Sequence, residues 1–274
     1  MYAFFFLKRY NQIMNVSKEM MIELADKYET PEFIKADPSC FMHRYTGADA
    51  ETVAFIAANL AFGRREQILS HVEQILNFMS EDKKTPVQWI LEKQYEKRFR
   101  KDNKTSFYRM YSFCDLRIFF DTLNRILSEE MSLGKYFQKK WNGRKGECEN
   151  LFLHQVIAEC FPEECALISH SKNCAAKKLN MFLRWMVRQN SPVDLGLWTW
   201  YDQKNLLMPL DTHVMQQSVE FGFIKKTAAG KVPGANLKTA LQLSQKMSEF
   251  FGNDPVRGDF ALFGLGVNSK KTTD

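Results

Sequence analysis

Apolar residues recur along most of the chain at the three- and four-residue spacing of an α-helix. Residues 51–62 are apolar on nearly every face and stop at Gly63, which predicts a central, buried helix with Asp49 as its N-cap. Residues 64–79 carry a single apolar stripe, so the helix predicted there packs on the surface of the protein. The pattern therefore starts with two consecutive helices that form a pair.

The rest of the chain keeps the helical period and has no convincing two-residue alternation of apolar and polar positions. Shorter helices are predicted around 87–99 and 116–127, and an irregular, basic loop is predicted at 134–149. A longer helix is predicted over 235–251, and a last helix over 256–266 follows it. We therefore predict an all-α fold.

Length and composition fit a globular protein with a sizeable core. The chain has 274 residues, of which 45% are apolar, and this is enough to bury one large core or two lobes. The formal net charge of +6 can attract a polyanion but does not identify one. The cysteines are scattered without metal-ligand spacing, so we expect reduced thiols, no metal site and a cytoplasmic protein. They are Cys40, Cys114, Cys148, Cys160, Cys165 and Cys174.

Residues 1–7 are apolar, but this run is short, with no basic residue before it and no small-residue cleavage pattern after it. We therefore expect no signal peptide. Because Met14 begins a more ordinary polar helix, residues 1–13 are a candidate extension from an upstream start codon. No apolar run approaches the length of a membrane span, so no membrane partner is expected.

A basic, amphipathic helix is predicted over residues 177–188. Lys177, Arg184 and Arg188 share the face opposite its apolar stripe, because the helical period brings positions seven and eleven residues apart back together. No acidic residue occurs between Cys165 and Val193, and Lys172 precedes the helix within this stretch. The sequence therefore predicts a basic face that can bind a polyanion.

Lys178 falls at the edge between the two faces of this helix, beside Trp185. A lysine there can bury its hydrocarbon stem and lose part of the hydration of its ammonium group, which lowers its pKa. The alternative interpretation is a surface lysine whose charged end reaches water.

Residues 208–214, Met-Pro-Leu-Asp-Thr-His-Val, place Asp211 directly before a predicted helix. Pro209 disfavours helix before it, and aspartate is a preferred N-cap whose carboxylate can accept the N–H of His213 or Val214. The positive end of the helix dipole keeps such a carboxylate ionised at neutral pH. Considered alone, an aspartate here indicates only a helix cap.

The order of these parts resembles the helix-hairpin-helix DNA glycosylases. Pro209–Val214 resembles the V-D-T-H-V segment of that family, whose aspartate is catalytic, and Asp259–Gly266 is similar to its closing helix. The whole layout, including residues 182–188, also resembles the bacterial family known as domain of unknown function 2400. The likeness extends over roughly residues 20–266, and only the segment around Asp211 is individually specific.

This resemblance implies two helical lobes around a cleft, one formed by residues 45–150 and the other by residues 14–44 and 151–274. It implies a monomer that flips a damaged base out of duplex DNA and cleaves the N-glycosidic bond, with or without lyase activity. Fold resemblance does not fix function, so two alternatives stay open: a non-catalytic nucleic-acid-binding protein on the same scaffold, or an all-α protein unrelated to DNA.

The resemblance also assigns residues to roles. Asp211 would stabilise the positive charge that builds on the sugar, and Lys178, or its neighbour Lys177, would attack the anomeric carbon. The predicted DNA contacts are Lys172, Arg184, Arg188 and His213. The predicted walls of the base pocket are Trp185, Trp198 and Trp200. Charge reversal of Arg184 and Arg188 together is expected to weaken DNA binding with little loss of thermal stability.

Two departures from the glycosylase pattern are evident. Residues 167–174 take the place of the glycine-containing hairpin of that family but contain no glycine. No cysteine follows Cys174, so the iron–sulfur cluster that many relatives carry cannot form, and no cofactor is expected.

Overall fold

The computed structural model describes residues 16–144 and 151–271, with side chains described as far as residue 265. The candidate extension at residues 1–13 lies outside the described residues. The described chain begins with α1 (Lys18–Tyr28), α2 (Pro31–Ile34) and a 3₁₀ helix (Pro38–Arg44).

The predicted helical pair is formed by α3 (Gly47–Leu60) and α4 (Arg65–Glu81). Almost the whole length of α3 is buried, as its apolar pattern predicts, whereas α4 buries one stripe. Asp49 lies inside the first turn of α3 and is not its N-cap, and its Oδ1 accepts a hydrogen bond from Val87 N at 2.8 Å. This aspartate therefore ties α3 to the start of the helix Pro86–Leu91.

A small hairpin precedes the longest helix of the first half. The elements are α5 (Pro86–Leu91), a 3₁₀ helix (Gln94–Lys97), β1 (Ser106–Tyr108), β2 (Tyr111–Ser112) and α6 (Phe113–Glu130). The two strands pair antiparallel and form the one sheet found within the described ranges. Ser112 ends the hairpin and begins α6, because its hydroxyl accepts the N–H of Asp115 at 3.1 Å.

The prediction of an irregular loop at 134–149 is wrong for residues 134–144, which belong to helix α7 (Leu133–Arg144). The reason lies in Glu51 of α3, whose Oε2 accepts a hydrogen bond from Gly134 N at 3.1 Å. A carboxylate from a distant segment thus satisfies an N–H group that would otherwise be free at the start of α7. The rest of that range, with Cys148, lies outside the described residues.

The second half is a series of helices joined by longer connections. They are α8 (Leu153–Glu159), α9 (Lys177–Val187), a 3₁₀ helix (Gln203–Asn205), α10 (Thr212–Glu220), α11 (Leu237–Phe251), a 3₁₀ helix (Pro255–Arg257) and α12 (Gly258–Lys271). Gly264 of α12 lies directly against the ring of Tyr28, where a Cβ atom would collide with that ring. A glycine within this helix therefore permits close packing against α1.

Buried apolar side chains form one continuous cluster that extends from Met21 to Leu262. At its centre, the ring of Phe55 stacks on Phe119 of α6 and meets Phe182 of α9 edge-on, with centroid distances of 5.7 and 4.9 Å. The fold is all-α apart from the hairpin, as predicted, and the division into two lobes stays a prediction. Within the described ranges, none of the helices combines the length and apolarity that crossing a bilayer requires.

Candidate active site

Asp211 is the N-cap of α10, as predicted. Its Oδ1 accepts a hydrogen bond from Val214 N at 2.8 Å, and the residue is half-buried. The chain reaches Asp211 through the buried residues 206–210, where Met208 N donates to Ser244 Oγ of α11 at 2.9 Å. The carboxylate is therefore fixed, and partly accessible, at the positive end of a helix.

A second carboxyl group, that of Asp259 in the first turn of α12, lies near Asp211. Asp259 is buried and forms an ion pair with Arg184. Burial raises the pKa of Asp259 to about 7, the positive charges of Arg184 and Lys177 oppose this shift, and the charge of Asp211 adds to it. The charges of Asp211 and Lys177 are thus close enough to shift the pKa of Asp259. We call Asp211, Asp259 and Lys177 the Asp211 cluster.

Lys178 is turned towards the hairpin. Its Nζ donates a hydrogen bond to the hydroxyl of Tyr111 at 3.0 Å and another to the carbonyl oxygen of Leu167. Burial lowers the pKa of Lys178 to about 8, in the direction that its place on the helix predicts. Among the described residues, no hydrogen bond or ion pair joins Lys178 to Asp211.

The predicted basic face of α9 is wrong, because Arg184 and Arg188 are buried, with exposed fractions of 3% and 2%. Arg184 Nε donates to Asp194 Oδ1 at 3.2 Å. Arg188 donates from Nε to Asp254 Oδ2 at 2.8 Å and from Nη1 to Asp194 Oδ2 at 3.0 Å, and it also pairs with Glu29. Helical spacing shows that the two arginines share a face, but not that carboxylates from distant segments cover it. Neither can contact a phosphate.

The predicted base-pocket walls Trp185 and Trp198 are core residues, with exposed fractions of 0% and 1%. The Nε1 of Trp198 donates to Glu51 Oε1 at 2.9 Å, which fixes the indole against α3. Trp200 is half-buried and stacks on Trp198 with 5.4 Å between ring centroids. Only Trp200 of the three keeps enough exposed surface to meet a ligand.

A family model described as "Protein of unknown function (DUF2400)" matches residues 37–268. The chain belongs to the DUF2400 family. The matched range contains the Asp211 cluster and every site residue predicted from the sequence. No curated protein and no solved structure was found to match the chain. Since the family description names no activity, the function of this DUF2400 member has to be inferred from its own residues.

His213 and Lys172 are the remaining predicted DNA contacts of this DUF2400 member. The half-buried His213 meets the ring of Phe263 edge-on at 5.9 Å, and the guanidinium of Arg65 lies 5.7 Å from the centroid of the same ring. Lys172 is exposed in the connection before α9. Both residues stay predicted DNA contacts.

Two open grooves of the described surface, with volumes of about 670 and 550 Å³, lie elsewhere, along α6, α7 and α8. They share Arg125, Glu159 and Cys160, and none of the predicted site residues lines them. Several of their charged side chains pair with one another, as Arg117 does with Asp121 at 2.9 Å. The grooves are therefore lined in part by charges that neutralise one another, and they lie apart from the Asp211 cluster.

Sequence reasoning missed Tyr111 and Asp259 as site residues. Strands of two or three residues have no measurable period, so the hairpin that holds Tyr111 against Lys178 gave no signal. Asp259 could have been found from its position in the sequence. It is an acidic residue in the first turn of a predicted helix, where a carboxylate lies at the positive end of the helix dipole, as Asp211 does.

Asp259→Asn tests the raised pKa of Asp259. A carboxyl group whose pKa is higher in the folded protein than in the unfolded chain stabilises the fold at low pH, and this stabilisation is lost as the pH rises through about 7. We therefore expect the free energy of unfolding of the wild type to fall, relative to that of Asp259→Asn, from about pH 4 upwards and to level off above the folded pKa. Urea unfolding of both proteins across this range measures the difference.

Asp102→Asn is the control for this experiment. Asp102 is exposed, and a hydrogen bond from Arg100 lowers its pKa, so this substitution should not reproduce the loss. A wild type that gains stability relative to Asp259→Asn as the pH rises would show that the Arg184 ion pair outweighs burial.

Proposed function

We propose that this protein is a DNA N-glycosylase, which flips a damaged base out of the duplex and cleaves its N-glycosidic bond. The observation that carries the proposal is the Asp211 carboxylate, which is held by Val214 N and partly accessible at the start of α10. The likeness of residues 209–214 to the catalytic segment of helix-hairpin-helix glycosylases supports it.

The chemistry requires a fixed negative charge near the sugar. Cleavage of the N-glycosidic bond sends the bonding electron pair to the leaving base and builds oxocarbenium-like positive charge on the sugar ring. An ionised carboxylate that is already oriented stabilises this charge without reorganisation during the reaction, or orients the attacking water. Asp211 is the candidate for this role.

A lysine amine can replace water as the nucleophile. The nitrogen lone pair attacks the anomeric carbon while the bond to the base breaks, and loss of the amine proton and ring opening then give a Schiff base. Lys178 is the better candidate because its pKa of about 8 leaves part of the amine neutral near physiological pH. To reach a sugar, its ammonium group must release Tyr111 and Leu167. Lys177, in the range of Asp259, is the alternative.

A panel of duplexes, each with a single damaged base, tests the proposed activity. We expect the wild type to release at least one of these bases and to leave an abasic site, detected by strand cleavage in alkali. Undamaged duplex of the same sequence is the control. Binding of every duplex without release of any base would contradict a glycosylase.

Borohydride trapping on a cleaved duplex separates the two lysines. If Lys178 is the nucleophile, the wild type is trapped on DNA, Lys178→Gln is not, and Lys177→Gln still is. Trapping should increase as the pH rises through about 8, because only the neutral amine attacks. Trapping abolished by Lys177→Gln instead would assign the role to the neighbour, and excision without trapping would indicate water as the nucleophile.

A non-catalytic nucleic-acid-binding protein is the second candidate function. One observation favours it: Lys178 is engaged by Tyr111 and Leu167, and no contact among the described residues joins it to Asp211. Such a protein would bind plain duplex with strong salt dependence and release no base.

A further inference from the structure

A second acid-free stretch lies between α10 and α11. No aspartate or glutamate occurs between Glu220 and Glu249, while the same segment carries Lys225, Lys226 and Lys231 in its connection and Lys238 in the first turn of α11. The basic stretch from 165 to 193 is the more obvious one in the sequence, but its two arginines are buried in ion pairs. The exposed positive charge in the second half of the chain therefore lies mainly in the segment between Glu220 and Glu249 and not on α9.

The connection between α10 and α11 has a defined turn. Gly230 N donates to the carbonyl oxygen of Thr227 at 2.8 Å, and Thr227 N donates to that of Lys231 at 2.9 Å. Lys231 N also donates to Thr227 Oγ1 at 3.1 Å, and Gly230 has the left-handed φ of 73° that this turn needs. Lys225, Lys226 and Lys231 are thus presented from the two arms of one small turn.

This turn is joined to the entry of α9. Cys174 and Asn236 form an antiparallel bridge, and Leu237 N donates to the carbonyl oxygen of Asn173 at 2.9 Å. The bridge brings the two acid-free stretches side by side, so that Lys172, in the turn before Cys174, adjoins the segment that leads from the lysine-bearing connection into α11. We call the lysines of this region the lysine surface. They are Lys172, Lys225, Lys226, Lys231 and Lys238.

The lysines of the lysine surface are exposed and have no ion-pair partner among the described residues. All five residues are exposed, and none forms an ion pair within the part of the chain that the structure describes. Several other basic side chains on the surface are paired, as Arg100 is with Asp102 at 2.9 Å, so what sets the lysine surface apart is that five unpaired lysines fall in two adjoining segments without an acidic residue. Unpaired like charges repel one another, and a multiply charged anion relieves that repulsion by replacing the counterions around them.

The spacing suits the backbone of a duplex. Helix α10, which begins after Asp211 and leads into the connection, has nine residues and is about 14 Å long, or about four base-pair steps of 3.4 Å. A duplex with one nucleotide at Asp211 would thus have phosphates a few steps away near the lysine surface. We propose that the lysine surface binds the phosphate backbone of duplex DNA on one side of the nucleotide held at Asp211, an inference that rests on the proposed function.

The test is a triple charge reversal, Lys225→Glu, Lys226→Glu and Lys231→Glu, with a short undamaged DNA duplex as the probe. We expect the affinity at low salt to fall by about tenfold or more, and the slope of log Kd against log salt to decrease by up to about three, roughly one for each phosphate that the variant no longer binds. The matched control is Lys35→Glu, Lys97→Glu and Lys135→Glu, which changes the net charge equally at exposed lysines after α2, in the 3₁₀ helix before the hairpin and in α7. Circular dichroism should show the same unfolding temperature for both.

The control should bind the duplex as the wild type does, apart from a small general effect of charge. Equal loss of affinity in the two triple variants, or no loss in the first, would overturn the proposal. Lysine-dependent binding to vesicles containing phosphatidylserine, without binding to the duplex, would also overturn it. Restoration of affinity by arginine at the same three positions would support it, because arginine keeps the charge.

Excision separates this inference from the proposed function. If the wild type releases no base but the triple charge reversal abolishes duplex binding, the lysine surface stands and the glycosylase fails. If the wild type releases a base and the triple variant has an unchanged Kd, the glycosylase stands and the lysine surface fails. In the case where both hold, the triple variant should recover excision at saturating enzyme in single-turnover experiments.

Discussion

Asp211→Asn should abolish base excision and leave the stability of the protein almost unchanged. Asparagine caps a helix about as well as aspartate, so an oxygen at this position can still accept the hydrogen bond from Val214 N. The negative charge, in contrast, is removed, and with it the stabilisation of the oxocarbenium-like transition state. We expect the single-turnover rate on a cleaved duplex to fall by at least about 100-fold.

Urea unfolding measured alongside the rate separates the two roles of Asp211. Asp211→Ala removes both the cap and the charge, and should therefore lose excision and also about 1 kcal/mol of unfolding free energy. Asp202→Asn is the matched control, because Asp202 also caps a helix, by accepting from Lys204 N at 3.0 Å, but lies outside the Asp211 cluster. Full excision by Asp211→Asn would show that the carboxylate is only a cap.

Arg188→Ala should lower the free energy of unfolding by about 3–5 kcal/mol. Arg188 is 2% exposed and pairs with the carboxylates of Asp194, Asp254 and Glu29. Its removal leaves Asp254 without an ion-pair partner among the described residues and leaves Asp194 and Glu29 with one arginine each, Arg184 and Arg257. The desolvation of these negative charges is then no longer compensated, which destabilises the fold. The burial of Arg184 and Arg188 in ion pairs contradicts the expectation that charge reversal of both would spare thermal stability.

Arg100→Ala is the control for this prediction, because Arg100 and Asp102 form an exposed pair with about 70% of each side chain accessible. Pairs of this kind contribute about 0–1 kcal/mol, so the variant should unfold almost like the wild type. Denaturant unfolding of both variants measures the difference. A loss below about 1 kcal/mol for Arg188→Ala would mean that water or local rearrangement compensates the three carboxylates.

The local elements could be predicted from the sequence because their signals are local. The buried run of α3, the single stripe of α4 and the Asp211 cap of α10 each depend on residues within one or two turns of helix. The lowered pKa of Lys178 was also within reach, since a lysine at the edge of an apolar stripe has to lose hydration. The all-α fold class follows from the same helical period.

Predictions failed where a partner comes from a distant segment. Residues 133–144 carry mixed polar and aromatic positions without a clear stripe, and it is Glu51, more than eighty residues earlier, that accepts the N–H at the start of α7. Trp198 donates to the same carboxylate and is therefore held in the core. From the sequence alone, a tryptophan in a connecting segment could equally well line a ligand pocket.

The sequence by itself determined the helices with a clear apolar pattern, such as α3 and α4, the cap at Asp211 and the acid-free stretches, because spacing and residue type along the chain are sufficient for each. Only the tertiary structure decided which basic residues are free. Arg184 and Arg188 carry the same charge as Lys225 and Lys231, but carboxylates from three other segments bury the arginines, whereas the lysines remain exposed. Whether a charge is paired depends on what the fold brings next to it, and no local pattern encodes that neighbour.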